Sequence, residues 1–313
     1  MRRELGHKMK SMPCVYRIGA LTLAATASLC AQMRVVPVQR DVYVLSSGGN
    51  NITLQIGKEG ILLVDTEGAP LAEKTLEEIR KLSQRHVRYI INTSARDEHA
   101  GGNGALASLI PVDGQDPLNI IAHTNVLNRL AAPDAEHPKG KNLNEPGLPI
   151  DEYDLPSKKM HFNGEAIILY HELNAITDGD TIVQFRGSDA ISTGDIFTPE
   201  HYPEIDMKNG GTAQGELAAL NHLLDLAVPG AQQEGGTYLI PGHGRICDDA
   251  DLVEYRDMVA IVIDRVQDQI KRGKNLEQVK AAKLTEDYDS QFGTQPGAGA
   301  RFVETVFKSL GGK

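Results

Sequence analysis

The sequence predicts an α/β fold, a four-layer αββα sandwich with two sheets between helical layers. Three observations carry this. Strand-like segments come in two sets, over 35–92 and 160–244; each set ends in helix-periodic sequence; and the residues best suited to chemistry lie in glycine-bearing turns where apolar strands stop.

Taken in order, VVPVQ, DVYVLSS, NITLQIG and ILLVDTEG are separated by Arg40-Asp41, Gly48-Gly49 and Lys58-Glu59-Gly60, which reads as an antiparallel meander. A helix follows from Leu71 to Leu82: Leu71, Leu76, Ile79 and Leu82 share a face, with Glu77 and Lys81 spaced as an i,i+4 pair. The strand VRYIIN leads into a polar loop, a short helix follows Gly101-Gly102 through Leu109, and a strand-helix unit runs from Asn119 toward Ala132. Residues 133–156 are rich in Pro, Gly, Asn and charge, which predicts a long surface loop of the kind used as a binding lid.

The second set repeats the first: strands at MHFNG, EAIILYHEL, DTIVQFRG and DAISTGD, a tight turn at Asp178-Gly179-Asp180, a helix from Ala213 to Leu226, and a closing strand TYLIPGHG. From about 248 the chain reads as helical, with Leu252, Tyr255, Val259, Val262, Val266 and Ile270 on one face. Asp248 or Asp249 caps its start, Gly273 ends it, and Asn275 with Gln278 forms the capping pair of another short helix. No linker composition separates this part, so one domain is expected over 32–313 with the C-terminal helices packed on it.

Arg2, Arg3, Lys8, Lys10 and Arg17 precede an apolar run from Ile18 to Leu29 that ends at Cys30 and Ala31. This is the pattern of a secretory signal peptide, 1–31, too short to span a membrane, and it predicts export to a bacterial periplasm. Bulky Leu29 argues against lipidation at Cys30. Cleavage after Ala31 leaves Cys247 as the one remaining cysteine, hence no internal disulfide and a packing role beside PGHG. With 32 basic and 42 acidic residues the net charge is −10, which excludes nucleic acid as the main partner and leaves small molecules or proteins.

Chemistry concentrates at strand ends: Glu98 and His99 after VRYIIN, Asp195 in STGD, and His243 in PGHG. Two carboxylates and two imidazoles match the preferences of zinc. The stretch INTSARDEHAGGN closely resembles the metallo-β-lactamase superfamily signature NTHxHxDHxGGN, and AITDGD, STGD and PGHG are similar to its later motifs, so the resemblance covers nearly the whole chain after 31. It implies the same αββα sandwich. It also implies that a first metal site would need histidines at Ser94, Arg96 and Ile176, none of which is present. The second site keeps Glu98 in place of the family's aspartate, with His99 and His243, and Asp195 stands where the family has a carboxylate shared by both metals.

Two readings follow. In one, a single zinc at the second site supports hydrolysis of a small ester, amide or lactam, with Asp195 and Arg96 in catalysis and Arg96, Ser94 and His171 facing substrate. Four protein ligands would close a tetrahedral zinc, so Asp195 is then a general base or a distant ligand. In the other, Arg96 salt-bridges Asp195 or Glu98 in place of a cation, and the chain is a metal-free pseudoenzyme that binds a ligand or a protein. Asp65 resembles an aspartate that orients a metal-binding histidine in the family, with Arg96 or Ser94 as its expected client here. His123 and His171 read as hydrogen-bonded core histidines at strand ends, His171 being the one placed to face the pocket.

Overall fold

The strands of this chain alternate between two apolar destinations, and that alternation builds the layers. In the computed structural model, residues 33–111, 117–135, 137–233 and 235–312 are described; the expected signal segment 1–31 lies outside the described residues. The first sheet begins with the meander β1 (Arg34–Gln39), β2 (Val42–Ser47), β3 (Asn50–Gly57) and β4 (Gly60–Val64). After helix α1 (Ala72–Leu82) come β5 (Val87–Ile91), the short helices α2 (Asp97–Ala100) and α3 (Asn103–Leu109), β6 (Asn119–His123), α4 (Thr124–Leu130) and β7 (Asp151–Tyr153). Strand order follows the chain from β1 to β7, antiparallel through β4 and parallel beyond it.

The second sheet has the order β12-β11-β10-β9-β8. Its strands are β8 (Ser157–Phe162), β9 (Glu165–His171), β10 (Thr181–Phe185), β11 (Ala190–Gly194) and, after helix α5 (Ala213–Leu226), β12 (Tyr238–Pro241). Helices α6 (Asp249–Lys271), α7 (Leu276–Ala281), α8 (Asp289–Phe292) and α9 (Ala298–Ser309) complete the described chain.

Three buried clusters occupy the three spaces between four layers. On β4, Leu62 and Val64 face the second sheet and meet Ile167, Leu169, Val183 and Phe185, while Ile61 and Leu63 turn outward to Leu76 and Ile79 of α1. Burial on both faces is why β4 reads as an unbroken apolar run. On the far side, Ile182, Ile191 and Leu239 pack against Leu220, Tyr255, Val259 and Phe302 of the outer helices, so the C-terminal helices share a core with the second sheet. Each such aliphatic side chain contributes about 1.5–3 kcal/mol by leaving water. Among the described residues no helix is long and apolar enough to cross a membrane.

Local signals were accurate where they rest on short-range chemistry. Asp248 caps α6 in a reciprocal box with Asp251, and Asn275 does the same for α7 with Gln278. Three expectations need correction. Lys81 pairs with Glu78 at 2.7 Å rather than with Glu77, since i,i+3 and i,i+4 neighbours are both within reach on a helix. The 133–156 stretch is not loop throughout: it contains β7, and Gly147 packs so closely on α3 that a Cβ there would lie 2.5 Å from Gly104. Asp178 and Asp180 do not close a hairpin turn; the β9–β10 connection is longer, and Asp180 is buried, binding the Thr177 backbone N–H and hydroxyl.

Candidate metal centre

The loop between β5 and α3 is held in place before any site is formed. Asn92 and Asn103, at its two ends, exchange amide hydrogen bonds of 3.1 and 2.8 Å, and Asn92 Nδ2 also donates to the carbonyl of His99 at 3.1 Å. Gly102 lets the loop press against the chain after β4, because a Cβ there would meet the Thr66 carbonyl at 2.7 Å. The segment it presses on is itself strained. Asp65 and Glu67 both have left-handed φ values, 68° and 55°, a conformation that costs a side-chain-bearing residue about 1–2 kcal/mol.

That strain places Asp65 beneath the site. Its Oδ1 accepts from the Thr93 backbone N–H at 2.8 Å, and its Oδ2 accepts from the Thr93 hydroxyl and from His99 Nδ1, both at 2.7 Å. The client of Asp65 is therefore His99, not Arg96 or Ser94 as the sequence led us to expect. The parallel pairing of Val64 with Ile91 brings the two segments side by side. His243 is held in the same manner from the other half: its Nδ1 lies 2.9 Å from Asn50 Oδ1 at the tip of the β2–β3 hairpin. Asn51 fastens that tip by donating to the carbonyls of Pro241 and Gly244, each at 2.9 Å. With both Nδ1 atoms engaged, both Nε2 atoms are left to point at the same place.

What they point at is Asp195. His99 Nε2 lies 2.9 Å and His243 Nε2 3.1 Å from Asp195 Oδ1, while Arg96 Nη1 lies 2.9 Å from Oδ2. Arg96 also donates from Nη2 to the Glu204 carbonyl at 2.8 Å. His99 and Asp195 are both buried, so this convergence lies out of reach of bulk water. Gly242 makes room for the imidazole; a Cβ there would stand 2.8 Å from His99 Cε1. Glu98, half-buried on α2, completes a group of four whose donor atoms, one from each residue, all lie within 4.8 Å of one another. This donor set, two imidazole nitrogens and two carboxylates within reach of one another, fits a divalent cation of the zinc type.

Charge in the cluster is strongly coupled. Burial opposes a charged His99, but the Asp195 and Asp65 carboxylates outweigh it and hold the imidazolium well above the ordinary histidine range. Burial likewise opposes ionised Asp195, and His99, His243 and Arg96 together drive it well below the usual carboxylate range. Asp195 is thus an anion throughout the working pH range, a ligand or charge anchor rather than a proton acceptor. Glu67, which sequence reasoning passed over, is buried with both carboxylate oxygens unpartnered; burial pushes it up to about 7 against the opposing pull of His243 and Lys74.

Above the cluster lies a cavity of about 440 Å³ whose wall includes Arg96, Glu98, Asp195, His243, Asn50 and Tyr202. Two expected substrate contacts are not there. Ser94 is buried, with its hydroxyl accepting from the Arg96 backbone N–H at 3.3 Å, and it lines no part of the cavity. His171 stacks on His123 with ring centroids 3.6 Å apart and binds the Asp178 carbonyl at 2.9 Å, also away from the cavity. Ile176 is buried in the outer helical core. Cys247 is buried too, with its thiol pushed up to about 12 by burial and by Asp251. Asn50, which no motif singled out, is an added member; the Gly-Gly-Asn-Asn hairpin tip was its only sequence signal.

No family model matches the sequence, and no curated protein does. Solved structures do. A double mutant of the sec-alkylsulfatase PisA1 aligns with a TM-score of 0.68 at 16% identity, over 90% of this chain and 50% of that one. The chain thus spans half the length of that alkylsulfatase. A metallo-β-lactamase from Pontibacter korlensis aligns at 0.57 and 15% identity over 73% of this chain and 99% of its own, and the DIM-1 metallo-β-lactamase at 0.56 and 15% over 74% and 98%. The chain has the metallo-β-lactamase fold, an αββα sandwich with a group of residues able to hold a metal ion.

Proposed function

We propose that the chain is a hydrolase that acts on a small ester, amide or lactam, in which Glu98, His99 and His243 would hold one zinc ion with Asp195 as a more distant ligand, so that a position stays open for water. One observation carries the reading: His99 Nε2 and His243 Nε2, each ring fixed by its Nδ1, converge on Asp195 Oδ1 at 2.9 and 3.1 Å, and Glu98 completes a donor group whose atoms lie within 4.8 Å of one another. When bound, zinc supplies Lewis acidity that activates water and polarises a carbonyl.

The chain's own residues do the rest. Asp65 and Asn50 fix the two rings, each by its Nδ1. Glu98, Asp195 and His243 line the cavity, so substrate approaches from that side. Arg96 spends one N–H on Asp195 and one on the Glu204 carbonyl; its remaining donors serve an anionic group of the substrate or the charge that develops on an oxygen. The expected setting is the periplasm, reached through the signal segment 1–31. The matched alkylsulfatase is far longer than this chain, and its likeness supports the fold alone.

A second reading has its own support, since Arg96 and charged His99 already neutralise Asp195 without a metal. In that case the chain is a metal-free ligand-binding module. Elemental analysis of protein produced with added zinc, joined to assays on a 4-nitrophenyl ester, an anilide and a chromogenic β-lactam, decides between them. About one zinc per chain, with hydrolysis lost in His243→Ala, supports the hydrolase; a metal ratio near zero overturns it.

A further inference from the structure

A second and larger cavity of about 820 Å³ shares Arg96, His201, Tyr202 and Glu204 with the first, so the two form one continuous groove running from Asp195 to the C-terminal helix. Its far walls are the 3₁₀ turn Met207–Asn209 and α9. Arg301, Thr305 and Lys308 follow one another at spacings of four and three, which puts them on one face of α9, and Lys208 belongs to the opposite wall. The lining thus holds four cations, Arg96, Lys208, Arg301 and Lys308, against the two carboxylates Glu204 and Asp206. In a chain of net charge −10 that is a local reversal.

The two acids offset it only in part, being two against four. Asp206 is engaged by the backbone N–H groups of Lys208 and Asn209 and by the Asn209 amide. Glu204 is exposed, and its carbonyl rather than its carboxylate meets Arg96. Lys308 has a partner in Glu304 at 2.6 Å and Arg301 donates to the Pro296 carbonyl at 2.7 Å, whereas Lys208 has no carboxylate partner among the described residues. Between the cations Met207, exposed at 41%, and half-buried Ala298 offer apolar surface above the buried Phe292 and Phe302. A groove with apolar surface set between cations recognises an amphipathic anion.

We propose that this groove is the subsite for the far half of the substrate: an organic monoanion whose apolar body lies on Met207 and Ala298 and whose carboxylate or sulfonate-like head meets Lys208 and Arg301. This rests on the hydrolase reading for the word substrate, but binding itself needs neither metal nor turnover.

The test is calorimetric binding of three probes with the same phenylpropyl body, 4-phenylbutyrate, 3-phenylpropane-1-sulfonate and the neutral 4-phenylbutanamide, to the zinc-supplemented and the chelator-treated protein. At least one anion binds about tenfold more tightly than the amide at low salt, and added salt narrows the gap. Which anion is preferred tells carboxylate from sulfonate recognition. In Lys208→Gln/Arg301→Gln, whose exposed side chains leave the core untouched, the advantage disappears; in His243→Ala it persists. Equal affinity for anions and amide, or an unchanged advantage in the double variant, overturns the proposal. Anion binding that persists in a protein without hydrolytic activity overturns the hydrolase reading and leaves the anion site standing.

Discussion

Arg96 and His99 meet Asp195 on opposite oxygens: the guanidinium lies 2.9 Å from Oδ2, and the imidazole 2.9 Å from Oδ1. The carboxylate to which the sequence resemblance gives a role between two metals here meets a guanidinium on one oxygen and an imidazole of the candidate metal group on the other. The salt bridge of Arg96 and a retained metal would therefore use different oxygens of Asp195, whereas charged His99 takes the metal's own side in the metal-free reading.

Arg96→Gln tests that separation. With Asp195 Oδ2 facing a neutral amide, stability falls by about 1–3 kcal/mol in denaturant unfolding, toward the lower end because the Arg96 side chain is 23% exposed. Zinc content, read by elemental analysis, stays unchanged. Loss of zinc in this variant would show that Arg96 supports the metal rather than replacing one.

Asp65→Ala acts on the other oxygen's side. It removes the anchor of His99 Nδ1 and strands a buried imidazole, so zinc affinity falls about 10–100-fold in a chelator competition. The fold itself loses about 3–5 kcal/mol, as expected when one member of a buried ion pair is deleted. Asn50→Ala, at a half-buried position, lowers zinc affinity in the same direction with a smaller stability loss. If neither variant alters zinc affinity, the two rings are not oriented in the way their hydrogen bonds imply.

Glu216 on α5 is buried with both carboxylate oxygens unpartnered, and burial, reinforced by Asp180, Asp195 and Glu172, holds it well above the ordinary glutamate range. Its folded pKa exceeds its unfolded one, so its contribution is greatest below about pH 4.3, where both states are protonated, and declines as pH rises toward the folded value. Glu216→Gln removes that decline. The difference in melting temperature between variant and parent should move in the variant's favour from pH 4.5 to pH 8; a difference independent of pH refutes the protonated assignment.

Mass spectrometry of the full chain produced in a bacterium checks two further expectations at once. The exported protein lacks residues 1–31 and carries one thiol, Cys247. That thiol resists alkylation at pH 8 until the protein is unfolded, since burial pushes it up to about 12. An unprocessed chain, or rapid native alkylation, contradicts one or the other.

Much of the fold was readable because its signals are local. The meander β1–β4, helix α5 and the caps at Asp248 and Asn275 each depend on residues a few positions apart. Glu98, His99, Asp195 and His243 were also readable, because a glycine-bearing turn at a strand end marks itself. The misassignments involve partners distant in sequence. Asp65 finds His99 through the parallel register of β4 with β5, and Asn50 finds His243 across 193 residues. His171 was lost to the stack with His123, which no periodicity announces. The cationic groove depends on α9 folding back beside the 201–208 segment, a juxtaposition absent from any single stretch of sequence.

The cation at Asp195 Oδ2 is tethered by peptide bonds. It cannot be stripped by a chelator, diluted away, or exchanged for a wrong metal when the surroundings are poor in zinc. A protein arranged this way needs its environment to supply one ion at most, and if that ion is scarce the surrounding side chains still keep their places.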